Sequence, residues 1–282
     1  MTANPSATPV EHYENFPVAS WLCPPRLRPA VAAIYRFART ADDLADEGPA
    51  SPARRLADLA EYRADLAAAA QGPGRSARWP QVFGPLAGAM ADWRLPLPLL
   101  QDLLSAFEQD VAKTRDGAAY RDRDELLEYC RRSANPVGRL MLHLYGVGDA
   151  ASMAQSDSIC TALQLINFWQ DISQDLARGR RYLPESDCRA HGVDPVLPAA
   201  APPQRRQALV RAECEWAREL MRAGAPLVRR VPGRAGWELR GVVQGGLRIL
   251  DRIAALGFDT FAHRPKLRAL DMPVIAARML RM

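Results

Sequence analysis

Histidine is scarce in this chain. His12, His143, His191 and His263 are the only four, and no two form a His-x-x-x-His pair. An imidazole-based metal centre therefore has no sequence support, and each histidine is expected to be structural. The five cysteines, Cys23, Cys130, Cys160, Cys188 and Cys214, are odd in number and scattered without a Cys-x-x-Cys. That excludes a disulfide framework or a zinc site and predicts reduced, mostly buried thiols. Nowhere do about 18 apolar residues run together, and the N-terminus lacks a charged start followed by an apolar core. Neither a spanning helix nor a signal peptide is expected, which places the protein in the cytoplasm. No lysine-rich block with interleaved aromatics is present. The net charge of +5 is spread as single arginines among acids, so nucleic acid is excluded as a partner. Peripheral contact with anionic lipid at the inner face of a membrane, or binding of diphosphates, fits the charge better; ordinary solubility is the plain alternative.

Strand signals are missing too. The β-branched runs are short, and no Asn-Gly or Asp-Gly turn joins alternating segments. The fold is read as all-α. With 282 residues and no shift of composition along the chain, a single domain over 1–282 is the expectation, with residues 1–12 disordered. Helices are predicted at Leu27–Ala45, Arg54–Gln71, Trp79–Trp93, Leu97–Lys113, Asp122–Tyr145 with a break at Asn135-Pro136, Ala150–Arg178, Gln204–Arg230 and Trp237–Ala255. About eight such helices form a bundle around a central cavity. The Pro-rich connection from Pro184 to Pro203 is long enough to act as a flap.

The chemistry concentrates in Leu163–Asp175 and the Arg178-Gly-Arg-Arg-Tyr-Leu-Pro184 that follows. Leu165, Phe168, Trp169, Ile172 and Leu176 recur at helical spacing, and Phe168 and Trp169 are expected to pack in the core. Gln164, Asn167, Asp171 and Asp175 fall on one stripe of the same helix. Two carboxylates one turn apart repel each other, and on so apolar a helix they call for a hard cation such as Mg²⁺. A solvated acidic face is the plain reading of a lone pair. A second copy shifts the balance: Tyr35, Arg39, Asp42 and Asp46 are spaced four, three and four, with Asp43 and Glu47 off the stripe. Two such stripes on facing walls suit metal ions and a diphosphate. Arg178, Arg180 and Arg181 read equally as a basic helix terminus or as anion contacts. Tyr129 taken alone is a core tyrosine.

Three segments carry a family resemblance: Arg39-Thr-Ala-Asp-Asp-Leu-Ala-Asp46, Tyr129-Cys-x-x-x-Ala-x-x-Val-Gly138, and Asn167-x-x-x-Asp-x-x-x-Asp-x-x-x-x-Arg-x-Tyr-Leu-Pro184. Together they resemble the squalene/phytoene synthase family from about Tyr13 to Leu267. The resemblance implies an isoprenoid-synthase helical bundle in which Asp42, Asp46, Asp171 and Asp175, with Asn167, bind Mg²⁺. Gln164 stands beside them. Arg39, Arg180 and Tyr182 would contact the diphosphate of a prenyl substrate, and Phe16 and Tyr129 would line the cavity, Tyr129 in a catalytic place. The chain departs from the wider family at Gln170, where many members have arginine, and at Gly246-Leu247, where many have tyrosine.

Tyr13–Ser20, Ser133–Arg139 and Gln244–Leu250 resemble the branch working in bacterial hopanoid pathways. That branch implies presqualene diphosphate as substrate, water as the quencher of a rearranged carbocation, no reductant, and hand-over to other enzymes of the pathway. A presqualene diphosphate, dehydrosqualene or phytoene synthase is the first alternative, and a non-catalytic isoprenoid-binding helical protein the second. Pro136 frees the carbonyl of Arg132, so Ser133 and Asn135 are candidates to hold the quenching water. Equally, Pro136 only kinks the helix and Asn135 faces solvent.

Overall fold

The computed structural model describes residues 23–72 and 76–282. Phe16, the rest of Tyr13–Ser20, the 1–12 stretch and the centre of the Gly72–Ala77 loop lie outside the described residues.

The described residues are helical with no strand among them, as expected. Helix α1 spans Arg28–Asp46 and buries Ala30, Val31, Ala33, Ile34, Phe37, Ala41 and Ala45, an i, i+3, i+4 set that defines one face. Phe37 stacks on Tyr62 of α2 (Pro52–Ala70) with ring centroids 5.3 Å apart, and meets Phe83 of α3 (Pro80–Trp93) edge-on at 6.2 Å. The Tyr62 hydroxyl donates to the Phe37 carbonyl at 3.0 Å. This aromatic plug fixes the rotation of α1, so the face carrying Tyr35, Arg39, Asp42 and Asp46 is left for the molecule's centre.

Helix α4 covers Leu97–Asp116 and ends at Gly117, which adopts φ 59°. Helix α5 (Arg123–Ser133) starts at Asp122, whose side chain accepts from the Glu125 amide at 2.9 Å. Ala134 separates it from α6 (Asn135–Leu144), where Pro136 has no amide hydrogen to continue the ladder. Helix α7 (Ala150–Ala177) is the longest, about 42 Å at 1.5 Å per residue, and is capped by Asp149. Helices α8 (Glu185–Ala190), α9 (Pro203–Gly224), α10 (Gly233–Ala255) and α11 (Met272–Met279) follow.

The buried apolar side chains form two clusters, one among α1 to α4, the other around α5, α7, α9 and α10. The second depends on close approach. A Cβ at Gly246 of α10 would sit 2.9 Å from the Met221 methyl and 3.1 Å from Leu163, so any larger residue there requires those side-chain ends to shift.

Three boundaries differ from expectation. The helix predicted over Gln204–Arg230 ends at Gly224 and continues as a 3₁₀ turn over Ala225–Arg229, because Pro226 lacks an amide donor. The Pro184–Pro203 connection is anchored rather than loose: the Glu185 amide donates to Tyr120 and the Ser186 amide to Arg121, and Cys188 and Val193 are buried. Helix α11 carried no strong periodic signal and was not expected. All five cysteines are free, four of them buried. No helix among the described residues is long and apolar enough to cross a membrane.

Candidate active site

Helices α1 and α7 turn their acidic stripes toward one cavity of about 400 Å³. Arg39, Asp42 and Asp46 enter it from α1, and Gln164, Asn167, Asp171 and Asp175 from α7. Tyr129 and Ser133 of α5 and Arg180 and Tyr182, just past α7, complete that wall. A second cavity of about 360 Å³ adjoins it. Its lining is mostly apolar, with Val31, Met141, Leu142, Ile159 and Leu239, and it shares Ser133, Val137, Gln164 and Asn167 with the first. A charged chamber thus backs onto an oily one.

Asn135 is placed differently from expectation. It is buried, yet lines neither cavity; its Oδ1 accepts a hydrogen bond from Thr161 Oγ1 of α7 at 3.0 Å. The carboxamide is needed to satisfy a buried hydroxyl at the α6–α7 contact, so it neither faces solvent nor joins the cavity. Phe168 also departs from a pure core role: it lines the cavity and stacks on Tyr182, centroids 3.7 Å apart and planes 9° apart. Trp169 is fully buried as predicted.

The carboxylates are largely held by arginines. Arg39 pairs with Asp42 at 3.2 Å and with Asp43 at 2.8 Å. Arg180 reaches across from the end of α7 to form an ion pair with Asp46. Arg264 grips Asp171 with two guanidinium nitrogens, the Nη2 contact being 2.9 Å. Asp175 has no ion-pair partner among the described residues; burial, then the neighbouring charge of Asp171, push its carboxyl up to about 7. Hard oxygens from two facing helices, with Asp175 lacking an ion pair, fit a divalent ion such as Mg²⁺. Among the described residues no three acidic or imidazole groups converge on one point. An ion held by either pair would draw further oxygens from a phosphate or from water.

Two site residues were not found in the sequence. Arg264 lies in the irregular segment after α10, with no motif around it, and it is placed by Gln170: the buried Gln170 amide donates to the Pro265 carbonyl at 2.7 Å. The family's arginine at Gln170 is thus replaced by a residue that fixes another arginine, Arg264, far along the chain. Asp110 of α4 lines the same cavity and accepts from the Tyr129 hydroxyl at 2.5 Å, with the Tyr182 hydroxyl 3.5 Å away. A carboxylate following Leu103 and Phe107 on an apolar helix face was its only signal.

The profile of the squalene/phytoene synthase family matches residues 10–271. The chain belongs to that family. Members of the family process prenyl diphosphates. A hydroxysqualene synthase of Sinorhizobium fredii is 35% identical over 256 residues, 90% of this chain and 82% of the relative. One from Rhodopseudomonas palustris is 41% identical over 181 residues, 64% of this chain and 58% of its own length. The crystal structure of squalene synthase HpnC from Alicyclobacillus acidocaldarius superposes with a TM-score of 0.78 at 35% identity, covering 88% of this chain and 90% of that one. The fold is the helical isoprenoid-synthase fold that this family shares.

Proposed function

We propose that the protein is a hydroxysqualene synthase, converting presqualene diphosphate and water to hydroxysqualene and diphosphate with Mg²⁺ as cofactor. The observation that carries this reading is the joined pair of cavities: four aspartates and their arginines at one end, an apolar chamber at the other. The named relatives at 35–41% identity favour the alcohol-forming branch.

Asp42 and Asp46 on one wall, and Asn167, Asp171 and Asp175 on the other, would hold the metal. Bound there, divalent ions supply positive charge to the departing diphosphate. Arg39, Arg180 and Arg264, already at the carboxylates, are placed to shift onto phosphate oxygens, and Tyr182 to donate to them. The substrate's hydrocarbon chains would fill the apolar chamber and exclude bulk water. Phe107, Tyr129 and Phe168 line the cavity, and an aromatic face turned to the cationic centre would contribute about 1–2 kcal/mol when desolvated.

Purified protein incubated with Mg²⁺ and presqualene diphosphate should yield an alcohol and free diphosphate, read by mass spectrometry and a diphosphate assay. NADPH should change neither rate nor product. A hydrocarbon product that appears only with NADPH, or turnover of farnesyl diphosphate to presqualene diphosphate alone, would move the chain to another branch of the family.

A further inference from the structure

Asp110 is a carboxylate of the cavity wall that belongs to neither acidic stripe. It sits on α4 and accepts a hydrogen bond from the Tyr129 hydroxyl at 2.5 Å. It forms no ion pair among the described residues, whereas Arg180 and Arg264 are taken up by Asp46 and Asp171. One helical turn past Tyr129 on α5, the Ser133 hydroxyl is buried at the junction of the two cavities with no hydrogen-bond partner among the described residues. An orphaned buried hydroxyl beside a cavity is a place for a water molecule.

If the product is an alcohol, water capture leaves one proton to remove, and under the proposed function the aspartates of the stripes hold the metal. We infer that Asp110 takes up, through the Tyr129 hydroxyl, the proton released when water adds to the carbocation; this rests on the hydroxysqualene synthase reading. The water oxygen forms the C–O bond and loses a proton to Tyr129 Oη, while the proton of Tyr129 passes to Asp110 Oδ2. The alcohol is neutral, Asp110 ends as a neutral acid, and no oxidant or reductant enters.

The surroundings suit the task. Burial, the largest cause, raises the Asp110 carboxyl above the ordinary carboxylate range, against the lowering by the Tyr129 and Tyr182 hydroxyls. A buried carboxylate that already accepts the Tyr129 hydroxyl proton in a hydrogen bond is placed to take that proton up. Tyr129 lies well above its ordinary range, chiefly through burial and then the charge of Asp110, so it relays a proton rather than standing as a phenolate.

The test compares wild type, Asp110→Asn and Tyr129→Phe with Mg²⁺ and presqualene diphosphate, measuring diphosphate release and the alcohol-to-hydrocarbon ratio. In Asp110→Asn, diphosphate should still be released while the ratio drops roughly tenfold or more, elimination replacing capture. Tyr129→Phe should shift the ratio the same way, and the double variant should go little further. An unchanged ratio in either releasing variant overturns the relay and leaves the diphosphate as acceptor. Loss of release with an intact helical circular dichroism spectrum also overturns it, since Asp110 would then serve ionisation. Should Asp110→Asn not fold, the ratio in Tyr129→Phe decides alone. A wild type that makes no alcohol overturns the functional reading itself.

Discussion

Helices α1 and α7 present the same device, two aspartates one turn apart, but neutralise it in different ways. On α1, Asp42 is 38% exposed and its arginine, Arg39, comes from the turn before it. On α7, Asp171 is 15% exposed and its arginine comes from 93 residues away, while Asp175 has none. Water screens the more exposed Asp42, so a local i, i+3 bridge to Arg39 suffices there, whereas the less exposed Asp46 takes Arg180 from beyond the end of α7. The second pair sits at lower dielectric, where like charges repel more strongly, and its single counter-charge, Arg264, serves Asp171 alone and leaves Asp175 without an ion pair among the described residues. The α7 wall is therefore expected to be the more sensitive to loss of metal or of a distant counter-charge.

The strongest way to break the comparison is to remove one carboxylate from each wall. Asp46→Asn and Asp171→Asn should both reduce turnover by at least ~10³-fold, about 4 kcal/mol of transition-state stabilisation, with the helical circular dichroism spectrum unchanged. EDTA should do the same to wild type and added Mg²⁺ should restore it. Activity near wild type in either variant would remove that wall from the metal site.

A smaller effect separates the walls. Arg264→Ala leaves Asp171 without its bidentate partner, and Gln170→Ala releases the Pro265 carbonyl that positions Arg264. Turnover should fall by roughly 10²-fold in the first and about tenfold in the second, with the double variant no worse than Arg264→Ala alone. Additive losses in steady-state kinetics would show that Gln170 acts independently of Arg264.

The same contrast explains what was legible. Helices α1 and α7 were readable because stripe, apolar face and flanking arginines all lie within one segment, and periodicity reports contacts of that range. Asp42, Asp46, Asp171, Asp175, Arg180 and Tyr182 accordingly meet in one cavity. Asn135 was misplaced because nothing local reveals that Thr161, 26 residues on, needs its oxygen. Arg264 and Asp110 were missed because their meaning lies in partners on other elements. Gly246 looked like a lost tyrosine, but it sits where α10 closely approaches Leu163 of α7 and Met221 of α9.

The mildest test asks whether burial strain alone marks a working carboxylate. Glu213 of α9 is fully buried, with Arg123 no nearer than 3.5 Å, and burial pushes its carboxyl up to about 8 from 4.5 despite the opposing pull of Arg123. It resembles Asp175 in this respect yet lines no cavity described above. The sign follows from proton counts. Below pH 4.5 the group is protonated in both folded and unfolded chains and has no effect. Between 4.5 and 8 the unfolded chain gives up the proton while the folded chain keeps it, so stability falls as pH rises and levels off above 8. The ceiling of ~1.4 kcal/mol per unit is not reached when Arg123 and water can adjust, and about 1–2 kcal/mol is expected at pH 9. Glu213→Gln should therefore raise Tm at pH 9 by about 2–4 °C per kcal/mol recovered, leave it unchanged at pH 4, and leave turnover near wild type. Turnover that falls with the substitution would place Glu213 alongside the α7 aspartates as a functional group rather than a buried structural acid.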